Sequence, residues 1–306
     1  MRQFDPKPIK EYAVGIYDGP HATPKEASEG PVFLGIKNIT DDGRLDFSEI
    51  RHVSEEDFPR WTRRVTPQAR DVVFTYEATL HRYAIIPEDF RGCLGRRVAL
   101  IRPDTNKVDN RYLFYYFLSH EWRKVVEGFV ISGATVDRIP LEKFPDFPAR
   151  LPDLSTQRRI ADILSAYDDL IENNLRRMEL LKESARLLYR EWFVRLRFRG
   201  HEHTRIVNEV PEGWEKKTAY DVTQILSGGT PKTTVADFWN GEIPFYTPKD
   251  SAAQCYVLDT EKHLTERGLN NCNSRLYPKD TVFITARGTV GNLNLAQRPM
   301  AMNQSC

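Results

Sequence analysis

The stretch QRRIADILSAYDDLIENN, Gln157–Asn174, opens a run from Ser155 to Arg199 that holds neither glycine nor proline. Elsewhere the chain meets one or the other every few residues. Within the run, Ile160, Leu164, Tyr167, Ile171, Asn174, Met178, Leu181, Ala185, Leu188 and Trp192 follow one another in alternating steps of four and three. A mean spacing of about 3.5 keeps one seam facing a partner helix in a left-handed supercoil. Ile163, Leu170, Leu175 and Leu187 widen the apolar stripe, and Arg158, Asp162, Asp169, Arg176, Glu183 and Arg190 charge the opposite face. The run therefore predicts one long amphipathic helix.

Its flanks agree. Pro140, Pro145, Pro148 and Pro152 stiffen the approach, and Ser155 or Thr156 is expected to cap the first turn. Gly200 closes the far end, with Pro211 beyond it. At ~1.5 Å per residue the run spans about 60 Å if its last turns stay helical. A rod of that length overhangs a domain of ~100–150 residues, so it reads as a strut between two modules that pairs with a second helix. Asn174 in the seam then sets the register, because a buried amide is satisfied only opposite a suitable partner.

The two flanking segments resemble each other. Before the helix, TPK at Thr23–Lys25 is followed by PVFLGIKNI and then DVVFTYEATLHRYAII from Asp71. After it, TPK recurs at Thr230–Lys232, followed by EIPFYTPKD and DTVFITARGTVGNLNLA from Asp280. Aligned by sequence, Asp71, Val73, Phe74 and Thr79 face Asp280, Val282, Phe283 and Thr289. Each segment reads as short strands with period-two apolar positions, and the shared triplet in shared order reads as a duplication. The first module continues with a strand at Val98–Pro103 and an amphipathic helix at Asn110–Glu127 that Gly128 ends. The second has no such continuation, since Cys306 stands where Val98 stands in the first. On the repeat's own arithmetic, about a hundred residues are missing and the chain is expected to be truncated.

Composition bounds the rest. The 306 residues, with 40% hydrophobic and 28% charged side chains, fit a soluble globular protein of about two domains, and strand-rich modules flanking a long helix make the expected fold class α+β. No stretch is long and apolar enough to span a membrane, and MRQFDPKPIKEYAV carries no secretory core. Cys93, Cys255, Cys272 and Cys306 are scattered, which suits reduced thiols in a cytoplasmic protein. The chain is expected to divide into residues 1–150, a helical spacer at 151–200, and residues 201–306.

Module, strut, module is where a family enters. The proline-led helix QRRIADILSAYDDLIENN, with SGGTPKTTVADFWNGEIPFYTPKD, YPKDTVFITARGTVGNLNLAQ and the VPEGW entry at Val210–Trp214, resembles type I restriction-modification specificity subunits. That resemblance implies two mixed α/β target-recognition domains that each read one part of a split double-stranded DNA site in the major groove. It implies spacer helices packed antiparallel, and no catalytic centre, metal or directly bound cofactor in this chain. Methyltransferase subunits using S-adenosylmethionine to modify an adenine, and a restriction motor subunit using ATP and Mg, are the implied partners.

The DNA contacts are expected on polar loops between strands. In the first module these are Lys25, Lys37, Asn38, Tyr76, Thr79 and Arg82. In the second they are Thr230, Lys232, Tyr246, Lys249, Arg287, Thr289 and Asn292. Lysines neutralise phosphate, whereas Arg and Asn make paired contacts with guanine and adenine edges. Without its intramolecular partner, the Ile160–Trp192 seam is expected to pair two copies of the chain.

Two other functional classes make different demands on the sequence. A self-contained methyltransferase or nuclease needs a cofactor glycine loop and an [ND]PP[FY] tetrapeptide, and the sequence holds neither. A protein-only scaffold differs from a DNA reader in lacking salt-dependent DNA affinity. Gly228–Gly229 has no phosphate-loop continuation, His201 and His203 have no further ligands nearby, and the E-x-K at Glu215–Lys217 has no partner acid.

Overall fold

The computed structural model describes residues 4–132, 136–251 and 255–306. The chain forms two compact units, Met1–Glu191 and Trp192–Cys306, so the long helix packs with the first.

The first unit is three layers deep. Strands β1 (Ala13–Asp18), β2 (Ala27–Leu34), β3 (Arg51–His52), β4 (Val72–Thr75), β5 (Tyr83–Ile85), β6 (Gly92–Leu94) and β7 (Val98–Pro103) build two sheets. One is antiparallel in the order β1-β7-β4-β5, and the other has β2 between antiparallel β3 and parallel β6. Along β4 and β7 successive side chains serve different layers, as the two-residue strand period requires. Val72, Phe74, Ala99 and Ile101 face helices α1 (Asn110–Leu118) and α2 (His120–Glu127) together with Phe144 and Phe147. Val73, Val98 and Leu100 face Leu34 and Leu94 of the second sheet and Ile39 just beyond β2. All are 0–1% exposed. The central sheet is thus apolar on both faces.

The single helix expected at Asn110–Glu127 is two. Ser119 leaves helical geometry at φ −72°, ψ 153° and its hydroxyl caps the second helix by accepting from the Trp122 amide at 3.2 Å. The turn aims Trp122 back into the core, where it is fully buried against Phe117, Phe144 and Phe147.

The long helix α3 spans Leu154–Tyr189, 36 residues and so about 54 Å at ~1.5 Å per residue. Its cap is Asp153, not Ser155 or Thr156. The Asp153 carboxylate accepts from the Ser155 hydroxyl at 2.5 Å, the Thr156 amide at 3.0 Å and the Thr156 hydroxyl at 2.9 Å. These bonds, the Ser155 one foremost, hold its pKa down at about 2. The far end is also earlier than Arg199. Arg190–Val194 form a π turn, Leu196 takes φ +53°, and Phe193 and Phe198 pack on Trp214 at 5.8 and 5.2 Å.

One face of α3 docks on the first unit through Gln157, Ala161, Asp162 and Asp168. Gln157 accepts from the Asp109 amide at 3.0 Å, Arg111 pairs with Asp162 at 2.8 Å, and Tyr115 donates to Asp168 at 2.6 Å. The Ile160–Trp192 seam lies about a quarter turn away at ~100° per residue, and it is solvent-exposed. Exposure is 37% at Ile160 and Leu164, 46% at Ile171, 48% at Met178 and 65% at Leu181.

The second unit repeats the strand pattern of the first. Strands β8 (Trp239–Tyr246), β9 (Tyr256–Val257), β10 (His263–Leu264), β11 (Val282–Ile284), β12 (Leu293–Ala296) and β13 (Ala301–Met302) again form two sheets. Like β2, β8 is a long strand with a register break, an antiparallel neighbour (β10) on one edge and a parallel one (β13) on the other. Phe245 and Tyr246 face Ala301 and Met302, as Phe33 and Leu34 face Cys93 and Leu94. The β11–β12 hairpin matches β4–β5, and its buried residues Phe283 and Ala296 share a core with Tyr246, Tyr277 and Met302.

The sequence alignment of the two hairpins needs correcting by one residue. The Thr75 amide donates to Arg82 O and the Thr285 amide to Asn292 O; the Ile86 amide donates to Asp71 O and the Ala296 amide to Thr281 O. Arg70 and Asp280, which precede these strands, both have positive φ, 72° and 69°. The true counterparts are therefore Asp71 and Thr281, Val72 and Val282, Val73 and Phe283, Phe74 and Ile284.

Candidate nucleic-acid interface

In both units the expected contact residues collect where β2 or β8 ends. After Leu34 the chain makes a 3-10 turn, Ile36–Asn38, and after Tyr246 it makes another, Pro248–Asp250. The same device closes both. The Asn38 side chain accepts from the Gly35 amide at 3.0 Å, and the Asp250 carboxylate accepts from the Thr247 amide at 2.8 Å. Lys37 and Lys249 stand at the same position of these turns, both exposed. The TPK triplets are equivalent in the same way, with Pro24 and Pro231 buried and Lys25 and Lys232 exposed.

A second turn packs beside the first. In the first unit it is Gly95–Arg97, whose Gly95 amide donates to Leu34 O at 2.8 Å and whose Arg97 carbonyl accepts from the Tyr76 amide at 3.2 Å. In the second it is Asn303–Ser305, with the Asn303 amide on Tyr246 O at 3.0 Å and the Ser305 carbonyl accepting from the Ala286 amide at 2.7 Å. Thr230 donates to Gln304 at 2.5 Å. Thr230, Lys249 and Arg287, the neighbour of Ala286, are thus gathered around one short segment.

In the first unit the two turns line a groove of about 590 Å³ with Thr23, Lys37, Arg51, Arg96 and Arg97, alongside Glu26 and Glu49. Arg97 is held by Glu77 at 2.8 Å and Arg51 approaches Glu26 at 3.9 Å. Lys37 and Arg96 are exposed, and no ion pair engages either among the described residues. Such a cation-rich groove beside amide and hydroxyl groups suits phosphate and base-edge contacts. Arg51, Arg96 and Arg97 were missed by the sequence reading. For Arg96 and Arg97 the signal was the triplet GRR, Gly95–Arg97, ahead of a strand; Arg97 takes φ +70° and Arg96 is exposed.

Three expected contacts are withdrawn because burial removes their side chains from a ligand. Asn38 is 6% exposed and spends its amide on Asp46 O and Glu49 O at 2.9 and 3.0 Å. Tyr246 is fully buried, stacks on Phe283 at 4.7 Å and donates to Asn294 at 2.7 Å. Tyr76 is 4% exposed, and burial foremost, with Asp18 and Glu77 nearby, pushes its phenol up to about 12. Arg82 is half-buried and holds the loop to Ile39 O at 3.1 Å. Thr79 is half-buried in the β4–β5 loop, outside the groove. Lys232, Arg287, Thr289 and Asn292 are exposed.

The two glycines before Thr230 serve packing, not a phosphate cradle. A Cβ on Gly228 would lie 2.2 Å from Met302 O and 2.4 Å from Asn303 O, and one on Gly19 would lie 2.5 Å from Gly95 O. These glycines are the equivalent wedges against which the second turn sits. Gly228→Ala is expected to destabilise the second unit by about 1–3 kcal/mol, because backbone must move to admit the methyl. Calorimetry checks it, with Gly19→Ala giving the matching loss in the first unit only.

Among the described residues no cluster of histidine, cysteine and acids is arranged to hold a metal, and no helix is long and apolar enough to cross a membrane. His201 is turned back onto Phe198 O at 2.8 Å.

The model of the type I restriction modification DNA specificity domain matches residues 32–183 and 211–306. The chain belongs to that family. The first matched segment opens in the last residues of β2 and includes the turn after it, and the second includes β8 with its turn. The specificity subunit of the type I restriction enzyme HindI of Haemophilus influenzae is 22% identical over 284 residues, 73% of this chain and 62% of that protein. The putative MjaX specificity subunit of Methanocaldococcus jannaschii is 22% identical over 306 residues, 96% of this chain and 68% of that protein. The MjaIX specificity subunit of the same organism is 30% identical over 115 residues, 37% of this chain and 27% of that one. The chain thus spans about a quarter to two thirds of the curated relatives it matches. Among solved structures, the HsdS subunit from Thermoanaerobacter tengcongensis aligns with all of this chain and 74% of its own, at 17% identity and a TM-score of 0.43. The S subunit from M. genitalium aligns with 98% and 70%, at 15% and 0.48.

Proposed function

We propose that this specificity-family chain is a non-catalytic DNA-recognition subunit, in which each unit reads one part of a split double-stranded target through its paired turns. The observation that carries this reading is the repetition of the Lys37 and Lys249 turns on equivalent strand ends, each beside a second loop that supplies donors. Those loops differ in chemistry. Arg96 and Arg97 in the first unit stand where Gln304 and Ser305 stand in the second, so the two units present different donor sets to their half-sites. Methyltransferase subunits carrying S-adenosylmethionine, and a motor subunit using ATP and Mg, supply the chemistry in the cytoplasm.

The helix sets the distance. Half-sites about one helical turn apart, ~34 Å, present themselves on related faces of the duplex, and a rod of 36 residues reaches that far. The Ile160–Trp192 seam pairs with a second helix, and in this chain two copies packed antiparallel satisfy it. Light scattering at micromolar concentration is expected to show a dimer. Leu164→Glu with Ile171→Glu is expected to give a monomer, since charges then oppose one another across the seam; a wild-type monomer refutes the pairing.

DNA binding is tested by fluorescence anisotropy across a salt series. Each phosphate contact adds ~0.9 to the slope of log affinity against log salt, so Lys37→Ala and Lys249→Ala are each expected to lower it by about 1. Affinity that ignores both salt and sequence context refutes the reading, as does methyl transfer by the purified chain alone.

A further inference from the structure

The first unit carries a cationic pocket whose residues have no charged counterparts in the second. It measures about 340 Å³ and opens beside Trp61, lined by Arg60, Arg63 and Arg64 and flanked by His21 and Ala22. No carboxylate lines it, whereas Glu26 and Glu49 share the groove of Lys37 and Arg96. Asp18 accepts from Arg64 at 2.7 Å and meets the His21 imidazole at 3.0 Å, so its charge is spent on one guanidinium. Arg60 and Arg63 are exposed, and no ion pair engages either among the described residues.

The two units can be matched at this place. Trp61 packs edge-on against Phe33 at 5.9 Å, in a core with Val53 and Cys93. Leu269 takes the same position in the core of Phe245, Leu264 and Ala301. The helical turns that carry them start at Asp57 and Thr265, and the Trp61 and Leu269 amides bond back to the carbonyls of those residues. Arg60, Arg63 and Arg64 therefore stand where the second unit has Gly268, Asn271 and Cys272. Gly268 leaves no room for a side chain, since a Cβ there would lie 2.2 Å from Phe238 O. The flanking loop differs too. Four residues lead from the wedge Gly19 to Thr23, but only two from its equivalent Gly228 to Thr230, and His21 lies in the longer loop.

We propose that this pocket grips backbone phosphates of the duplex beside the first unit's recognition groove, and that the second unit has no equivalent grip there. Its position carries the inference. Ala22 lines the pocket and the next residue, Thr23, lines the groove, while Phe33 of the groove is the ring that Trp61 meets edge-on. Contacts to phosphate fix a protein's register on the duplex while contacts to base edges read it, so a cation cluster bordering a base-reading groove suits the first task. Arginine forks match phosphate oxygens, and Arg60 and Arg63 have no acid to satisfy instead. The sequence-independent affinity of the chain is thus concentrated in its first unit. This inference deepens the recognition reading and rests on it.

Fluorescence anisotropy with a labelled duplex of arbitrary sequence tests it, because such a duplex isolates the phosphate contribution. Each phosphate contact adds ~0.9 to the slope of log affinity against log salt, so Arg60→Gln with Arg63→Gln is expected to lower the slope by about 1.8. Between about 50 and 200 mM salt, the loss of affinity should then shrink about tenfold. Arg60→Lys with Arg63→Lys is expected to keep the wild-type slope, since neutralising phosphate needs charge alone. An unchanged slope in the glutamine pair overturns the proposal, and so does a lysine pair that behaves like it. Inorganic phosphate at constant ionic strength is expected to displace the duplex equally from the wild type and the glutamine pair; preferential displacement from the wild type would assign the pocket to a free anion instead. Lys37→Ala on the same duplex keeps the two readings apart. A slope that falls with Lys37→Ala but not with the glutamine pair sinks this proposal alone, whereas wild-type affinity indifferent to salt sinks both.

Discussion

Trp122→Ala is expected to lower the stability of the first unit by about 3–5 kcal/mol, the range for emptying a large aromatic from a packed core. The site is hard to collapse. Trp122 is fully buried, stacks on Phe117 at 4.7 Å, meets Phe144 edge-on at 5.9 Å and donates its indole N–H to the Tyr83 hydroxyl at 3.2 Å. Tyr83 lies in β5, so this one side chain ties α2 to the β4–β5 hairpin. Burial holds the Tyr83 phenol neutral far above the ordinary tyrosine range, and it loses its donor when the indole goes. Trp122→Phe separates the two contributions. It keeps a stacked ring but leaves a buried hydroxyl short of a partner, a cost of about 1–3 kcal/mol. Urea unfolding followed by circular dichroism measures both, and equal losses for the two variants would refute the assigned role of ring volume.

The helix α3 was legible because its signal is long: a seam of ten positions survives any single ambiguity. Its ends were less so. Asp153 precedes Ser155 and Thr156, all three are good capping residues, and only the backbone at Asp153, φ −60° and ψ 156°, decides between them. The duplication was legible in its order but not in its register. DVVFT and DTVFI can be matched at two offsets because β4 is apolar on both faces, and a strand buried on both sides carries no alternation to fix the phase. Burial of Asn38 and Tyr246 was not legible at all. Both sit among polar loop residues, and what removes them is tertiary: Asn38 closes its own 3-10 turn and Tyr246 is the floor of the second core. Lysines and arginines on the same loops stayed exposed for a simple reason, since a buried unpaired charge is far more costly than a buried amide.

The same cost governs the pair between Asp71 and Arg102. The Asp71 side chain is 2% exposed and receives Arg102 through two bonds, Nε to Oδ1 at 2.9 Å and an Nη to Oδ2 at 2.8 Å, plus the Gln68 amide at 2.8 Å. Arg102→Ala leaves the carboxylate with the Gln68 amide alone and strips Thr66 O of its donor at 3.0 Å. The expected loss is about 3–5 kcal/mol, as for a buried pair broken on one side. Asp71→Asn should lose less, because the amide keeps the volume and one bond to the guanidinium while the charge left behind, on Arg102, reaches solvent at 22% exposure. The second unit suggests a remedy, since Thr281 occupies the position of Asp71 with no acid to satisfy. Asp71→Thr with Arg102→Leu is therefore expected to recover most of the loss, and a double-mutant cycle should return a coupling of about 1–3 kcal/mol. The functional readout follows from topology. Arg102 lies on β7, the strand that begins right after Arg96 and Arg97, so Arg102→Ala is also expected to weaken DNA binding while leaving the Lys249 salt slope unchanged. Undiminished stability in Arg102→Ala would mean that the pair adds nothing beyond its own desolvation.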